Sequence, residues 1–106
     1  IERNDTAHYY QMLKTLDATD GELTGPVQVT YDEQNNNLAF RKDGNKKVID
    51  YVLVRNERQI KKIERKVQTF AANMDGLISH LSDHYAMEAS LAFWNATDYR
   101  SFISNE

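Results

Sequence analysis

The chain contains no cysteine and a single proline, and its apolar runs are all short. The lack of cysteine excludes a disulfide framework, a thiolate metal site and a cysteine nucleophile. A membrane-spanning helix needs about 18 apolar residues in succession, so we expect no span within these residues. Charged residues make up 27% and hydrophobic residues 41% of the 106 residues, which is typical of a globular domain.

The length supports a single small domain over residues 1–106. The first residue is Ile1 and not methionine, which favours the soluble part of a longer chain. Within this domain we find no recognisable catalytic motif. Gly44 has no second glycine near it to build a phosphate-binding loop, and the serines have no convincing adjacent base. The sequence therefore predicts a protein that is not an enzyme and that carries no cofactor.

Two histidines, His80 and His84, have the spacing of metal ligands on one face of a helix. The metalloprotease motif needs a glutamate after its first histidine, and this chain has Leu81 there. No third ligand is evident nearby. We therefore predict no metal site and interpret both histidines as surface or boundary residues.

The net charge of −3 conceals a strong segregation of charge along the chain. Residues 1–40 have a net charge of −5, residues 41–66 of +6, and residues 67–106 of −4. A basic band between acidic flanks can contact phosphates or an acidic partner, although its lysines can also form an ordinary solvated face. The candidate contact residues are Arg41, Lys42, Lys46, Lys47, Arg58, Lys61, Lys62, Arg65 and Lys66.

The amino-terminal part predicts a helix over residues 5–17, with Asp5 or Thr6 as its N-cap. Its apolar stripe consists of residues spaced as on one helix face, namely Tyr9, Met12, Leu13 and Leu16. Gly21 is suited to a left-handed turn beyond the end of this helix.

The following segments predict an antiparallel meander of three strands with the helix on one face. Residues 27–31 alternate between apolar and polar side chains, and Leu38 and Phe40 share one face of a second short strand. A hairpin signal at Asp43 and Gly44 precedes residues 48–54, whose nearly continuous apolar character is typical of a central strand. Val52 is expected near the middle of that strand.

Residues 56–82 are open to two interpretations. Apolar residues recur there at steps of three and four, which predicts a second, amphipathic helix; they are Ile60, Ile63, Val67, Phe70, Met74, Leu77 and Leu81. The competing interpretation breaks the segment at Asp75 and Gly76 and makes residues 59–66 a strand. The remaining residues predict a closing hairpin around a turn at 95–98, with a helix through Met87, Leu91 and Trp94 as the alternative.

Several segments together resemble the extracytoplasmic part of the minor pilins of the Gram-positive competence pilus, the ComGF family. Residues 9–16 resemble the last turns of the long pilin helix. Residues 37–44 and 49–53 resemble the family's paired strands, and residues 59–63 resemble the short basic segment that follows them. Residues 77–82 and 90–93 are similar to its final strands. The resemblance implies strand rather than helix over residues 60–81.

The resemblance implies a non-enzymatic α+β subunit of a type IV pilus that assists DNA uptake at the cell surface. Its partners would be other pilin subunits, with DNA as a weak and non-specific ligand, and its membrane contact would be a segment upstream of Ile1. The alternative is a cytoplasmic adaptor or nucleic-acid-binding domain that uses the basic band at 41–66.

Overall fold

The computed structural model describes residues 1–55 and 57–94 and has one α-helix followed by short strands. This order agrees with the expected α+β class with an amino-terminal helix. The elements are α1 (Thr6–Leu16), β1 (Thr19–Asp20), β2 (Glu22–Thr24), β3 (Tyr31–Asp32), β4 (Lys46–Lys47), β5 (Leu53–Val54), a 3-10 turn (Glu57–Gln59), β6 (Ile60–Gln68), β7 (Ala71–Met74), β8 (Leu77–His80) and β9 (Ala86–Phe93).

Helix α1 begins and ends through local capping. The Asp5 side chain accepts a hydrogen bond from the His8 amide, which satisfies one free donor of the first turn. At the other end Asp17 adopts a left-handed conformation with φ of 50°, and its amide donates to the carbonyls of Leu13 and Lys14. The predicted helix and its N-cap are confirmed, but the left-handed residue is Asp17 and not Gly21.

A three-stranded sheet with the order β2-β6-β9 positions four of the nine basic candidate residues. Strand β6 is its central strand, parallel to β2 and antiparallel to β9. Side chains alternate along β6, so Ile63, Arg65 and Val67 share one face, which we call the inner face. Arg65 and Val67 are buried there, whereas Lys62 and Lys66 point to the opposite, outer face and are exposed.

The second helix predicted over residues 56–82 is wrong, because the chain forms strands β6, β7 and β8 there. Asp75 and Gly76, both with positive φ, form the two-residue turn that joins β7 to β8. The register shifts between Ile60 and Lys62, so an extra residue bulges from β6. The alternative strand interpretation of this segment is the correct one, with strand from Ile60 to Gln68.

The predicted three-stranded meander is also wrong: of residues 27–31 only Tyr31 belongs to a strand, and residues 38–40 form no strand. Strand β3 pairs with β4, and β5 pairs with β1, as two separate antiparallel pairs. Of the predicted strand 48–54 only Leu53 and Val54 form a strand, so the central strand is β6 and not the apolar run around Val52. Strand β9 pairs with β6, so the alternative prediction of a helix through Met87, Leu91 and Trp94 is wrong. The predicted closing hairpin extends into residues 95–106, which lie outside the described residues.

Polar side chains organise the loop that separates β3 from β4. Asp32 is buried and accepts hydrogen bonds from the amides of Gln34 and Asn35 and from the Asn35 side chain. Burial acts to raise the pKa of Asp32, but these hydrogen bonds and the charge of Lys46 outweigh it and lower the pKa. Asn36 is fully buried and donates to the Ser82 carbonyl, which ties the loop to the segment after β8.

Candidate functional site

An ion pair between Arg65 and Asp20 lies at the junction of α1, β1 and β6. Arg65 Nε lies 2.7 Å from Asp20 Oδ1 and donates to the Gly21 carbonyl oxygen over 2.7 Å. The side chains of Arg65 and Asp20 are 6% and 3% exposed. Strand β2 pairs in parallel with β6, and Leu23 is the direct neighbour of Arg65. The turn at Asp20 and Gly21, which precedes β2, therefore lies beside Arg65. The pair therefore joins the turn after α1 to the central strand.

Tyr9 extends this cluster to the helix. It is buried on the inward side of α1, and its hydroxyl donates a hydrogen bond to Asp20 Oδ2. Burial and the hydrogen bond to the Asp20 carboxylate both raise the pKa of Tyr9 above its ordinary value. Tyr9 therefore stays a neutral phenol and a hydrogen-bond donor over the physiological pH range.

Aromatic rings and a second arginine cover the cluster. The Arg3 guanidinium carbon lies 4.0 Å from the centroid of the Tyr9 ring, which is within the range of a cation–π contact. The Tyr51 ring lies 5.6 Å from that of Tyr9, and its hydroxyl donates to the carbonyls of Ile1 and Val48. Burial, and next the Asp20 charge, raise the pKa of Tyr51. These contacts hold the amino-terminal residues against α1.

An open cleft of about 730 Å³ lies beside the cluster. Its charged lining side chains are those of Arg3, Asp20, Glu22 and Arg65, and its neutral polar ones are those of Asn4, Tyr9, Tyr10, Thr19 and Gln28. The two positive and two negative charges of this lining balance each other. Among the described residues, the lining includes no serine, histidine or lysine, and Thr19 supplies its aliphatic hydroxyl. The polar side chains beside the cleft connect α1 to the central strand of the sheet.

The structure separates the members of the basic band. Arg41 and Lys42 are exposed in the loop after Phe40, Lys46 and Lys47 form β4, and Arg58 lies in the 3-10 turn. The other four, Lys61, Lys62, Arg65 and Lys66, lie on β6. Because Arg65 is buried and paired, it does not share a surface with Lys62 and Lys66.

Acidic residues surround the two lysines on the outer face of the sheet. Lys62 Nζ lies 2.7 Å from Glu64 Oε1, and the hydrogen bond to Glu64 raises the pKa of Lys62. Lys66 is directly opposite Glu88 on β9. Lys61 lies at the bulge, and its Nζ is 5.4 Å from the centroid of the Trp94 ring. The outer face is therefore mixed in charge and not a basic stripe.

The two histidines do not share a site. His80 ends β8 and packs edge-to-face on Tyr85, with ring centroids 5.4 Å apart. His84 Nδ1 lies 2.8 and 3.0 Å from the two carboxylate oxygens of Asp50. Within residues 1–55 and 57–94, no group of three or more His, Cys, Asp or Glu side chains could hold a metal ion.

Comparisons of the chain with protein-family models, with curated proteins and with solved structures found no match. In the part of the chain that the structure describes, no helix has the length and apolar character needed to cross a membrane.

Proposed function

We propose that this chain is the exposed head domain of a minor pilin-like subunit of a competence pilus, with a non-enzymatic role in DNA uptake. The observation that carries the proposal is the arrangement of residues 60–80. The resemblance to the minor pilins implies strands there against the periodicity of the sequence, and these residues form β6, β7 and β8. A single amino-terminal helix followed by sheet is the order that the resemblance implies.

The cluster around Arg65 gives the proposal a mechanical basis. Tyr9 and Asp20 fasten α1 to the central strand through buried hydrogen bonds and an ion pair. A force on the helix is thereby transmitted to the sheet. In the full-length subunit the upstream apolar segment would join α1 through the turn at Arg3 and Asn4.

The last turn of α1 offers a surface for neighbouring subunits. Leu16 is exposed there, next to the exposed Thr15. In a filament this apolar side chain would be covered by the helix of an adjacent subunit. In the isolated chain a substitution of Leu16 should change the free energy of unfolding by less than about 0.5 kcal/mol.

The experiment is an immunoblot for the full-length gene product in filaments sheared from competent cells of the source bacterium. We expect the wild-type subunit in the filament fraction, a marked decrease for Leu16→Glu, and no decrease for the matched control Thr15→Glu. A subunit that stays in the cytoplasmic fraction would contradict the proposal. Equal incorporation of both variants would contradict the helix contact.

A further inference from the structure

The β7–β8 hairpin exposes several large apolar side chains. Cross-strand register and the two-residue periodicity place four large side chains on one side of it, which we call the apolar hairpin face: Phe70, Met74, Leu77 and Leu81. All four are exposed, and Leu77 is 76% exposed. Ile78, on the opposite side, is 75% exposed. Contiguous exposed apolar side chains of this kind mark an interaction surface.

A basic loop lies beside this hairpin. The Asn37 side chain donates to Ser79 Oγ and accepts from the His80 amide, both over 2.9 Å, so the loop is attached to the edge of β8. Residues 37–47, which end in β4 and which we call the basic loop, contain four basic residues and one acidic residue. Leu38 and Phe40 in this loop are also exposed.

We propose that the apolar hairpin face and the basic loop together bind the surface of an anionic lipid bilayer. Anionic headgroups complement Arg41 and Lys42, which are exposed, while apolar side chains enter the boundary between headgroups and acyl chains. The face lies on a two-stranded hairpin, and a bilayer needs no matching concave surface. Asp75 in the turn is the single charged residue of residues 69–82, and face-on docking keeps its carboxylate at headgroup level.

The experiment is cosedimentation of residues 1–106 with vesicles of phosphatidylcholine alone and of equal parts phosphatidylcholine and phosphatidylglycerol. We expect binding to the anionic vesicles, little binding to the neutral ones, and a decrease of binding as salt is raised. Arg41→Gln and Lys42→Gln should each weaken binding about fivefold. The double variant Met74→Ser with Leu77→Ser should abolish it without unfolding the chain, because both positions lie on the apolar hairpin face and are exposed.

Matched control variants distinguish binding through this surface from a general effect of charge or of exposed apolar side chains. Lys62→Gln and Lys66→Gln remove the same charge from the outer face of the sheet, and Leu16→Ser removes an exposed apolar side chain from α1. All three should bind as the wild type does. Equal binding to neutral and anionic vesicles, or equal effects of control and test variants, would overturn the proposal. A dimer in sedimentation that Leu77→Ser disperses, without vesicle binding, would assign the face to a second copy and also overturn it.

Discussion

Arg65 on the central strand and Asp20 after the helix form an ion pair of 2.7 Å between two side chains that water hardly reaches. If either residue were removed, the other would be left as an uncompensated charge in the interior. The carboxylate also accepts the Tyr9 hydroxyl, and the guanidinium also donates to Gly21. Helix, turn and sheet therefore depend on one buried polar cluster.

Removal of one partner of this pair should be strongly destabilising. We expect Arg65→Met to lower the free energy of unfolding by about 3–5 kcal/mol, because it leaves the Asp20 carboxylate buried without its cation. The control is Lys62→Met on the same strand, whose ion pair with Glu64 is exposed and should contribute less than about 1 kcal/mol. Urea unfolding followed by circular dichroism measures both. Equal losses for the two variants would contradict the assigned role of Arg65.

The raised pKa of Tyr9 predicts a loss of stability in alkali. Since the unfolded phenol has a pKa of about 10, the unfolded chain releases this proton first as the pH rises. The stabilisation is fully present below about pH 10 and decreases as the pH rises toward the folded pKa. Urea unfolding at about pH 8 and about pH 11 should therefore show a smaller decrease for Tyr9→Phe than for the wild type. The control Tyr10→Phe, at an exposed position, should retain the wild-type decrease.

The topology predicts a specific pattern of amide hydrogen exchange. Residues 64–66 of β6 have β2 on one side and β9 on the other, so successive amides should all be protected. Strand β9 pairs with β6 alone among the described elements, so its protection should alternate from residue to residue. Exchange measured by NMR would contradict the fold if protection continued without a gap from Ile60 to Leu81, through Asp75 and Gly76.

Nucleic-acid binding should be weak, independent of base sequence and restricted to the basic loop. No base-reading motif accompanies its lysines and arginines, so phosphate contacts are the main expected interaction. Binding to duplex DNA should disappear as salt rises through roughly 0.2 M. Arg41→Glu with Lys42→Glu should abolish it, while Lys62→Glu on the mixed outer face should have a smaller effect. Sequence-selective or salt-insensitive binding would contradict this expectation.

The sequence predicts α1 and its N-cap correctly because both depend on local contacts. It misassigns residues 60–81 because a step of four residues keeps a side chain on one face of a helix and also on one face of a strand. The pairs Ile63 and Val67, Phe70 and Met74, and Leu77 and Leu81 all have this spacing. The steps of three fall at the bulge after Ile60, between β6 and β7, and at the β7–β8 turn. Periodicity alone therefore did not distinguish the two structures.

The buried cluster was not predictable from sequence for a different reason. Arg65 belongs to a run of basic residues of the kind that usually lies on the surface. Its burial depends on the parallel pairing of β6 with β2, a strand about 40 positions earlier. Asp20 was expected to lie in the turn that follows the predicted end of the helix. The one usable signal was Tyr9, which the helical periodicity placed on the inward face of α1, where it is buried.

The pilin proposal is tested most directly by the transformation frequency of the source organism after in-frame deletion of this gene. We predict that DNA uptake is lost and that the intact gene, supplied in trans, restores it. An Arg65→Met gene should fail to restore uptake, because the sheet loses its attachment to α1, while Lys62→Met should restore it. Unchanged transformation in the deletion strain would contradict the proposed function.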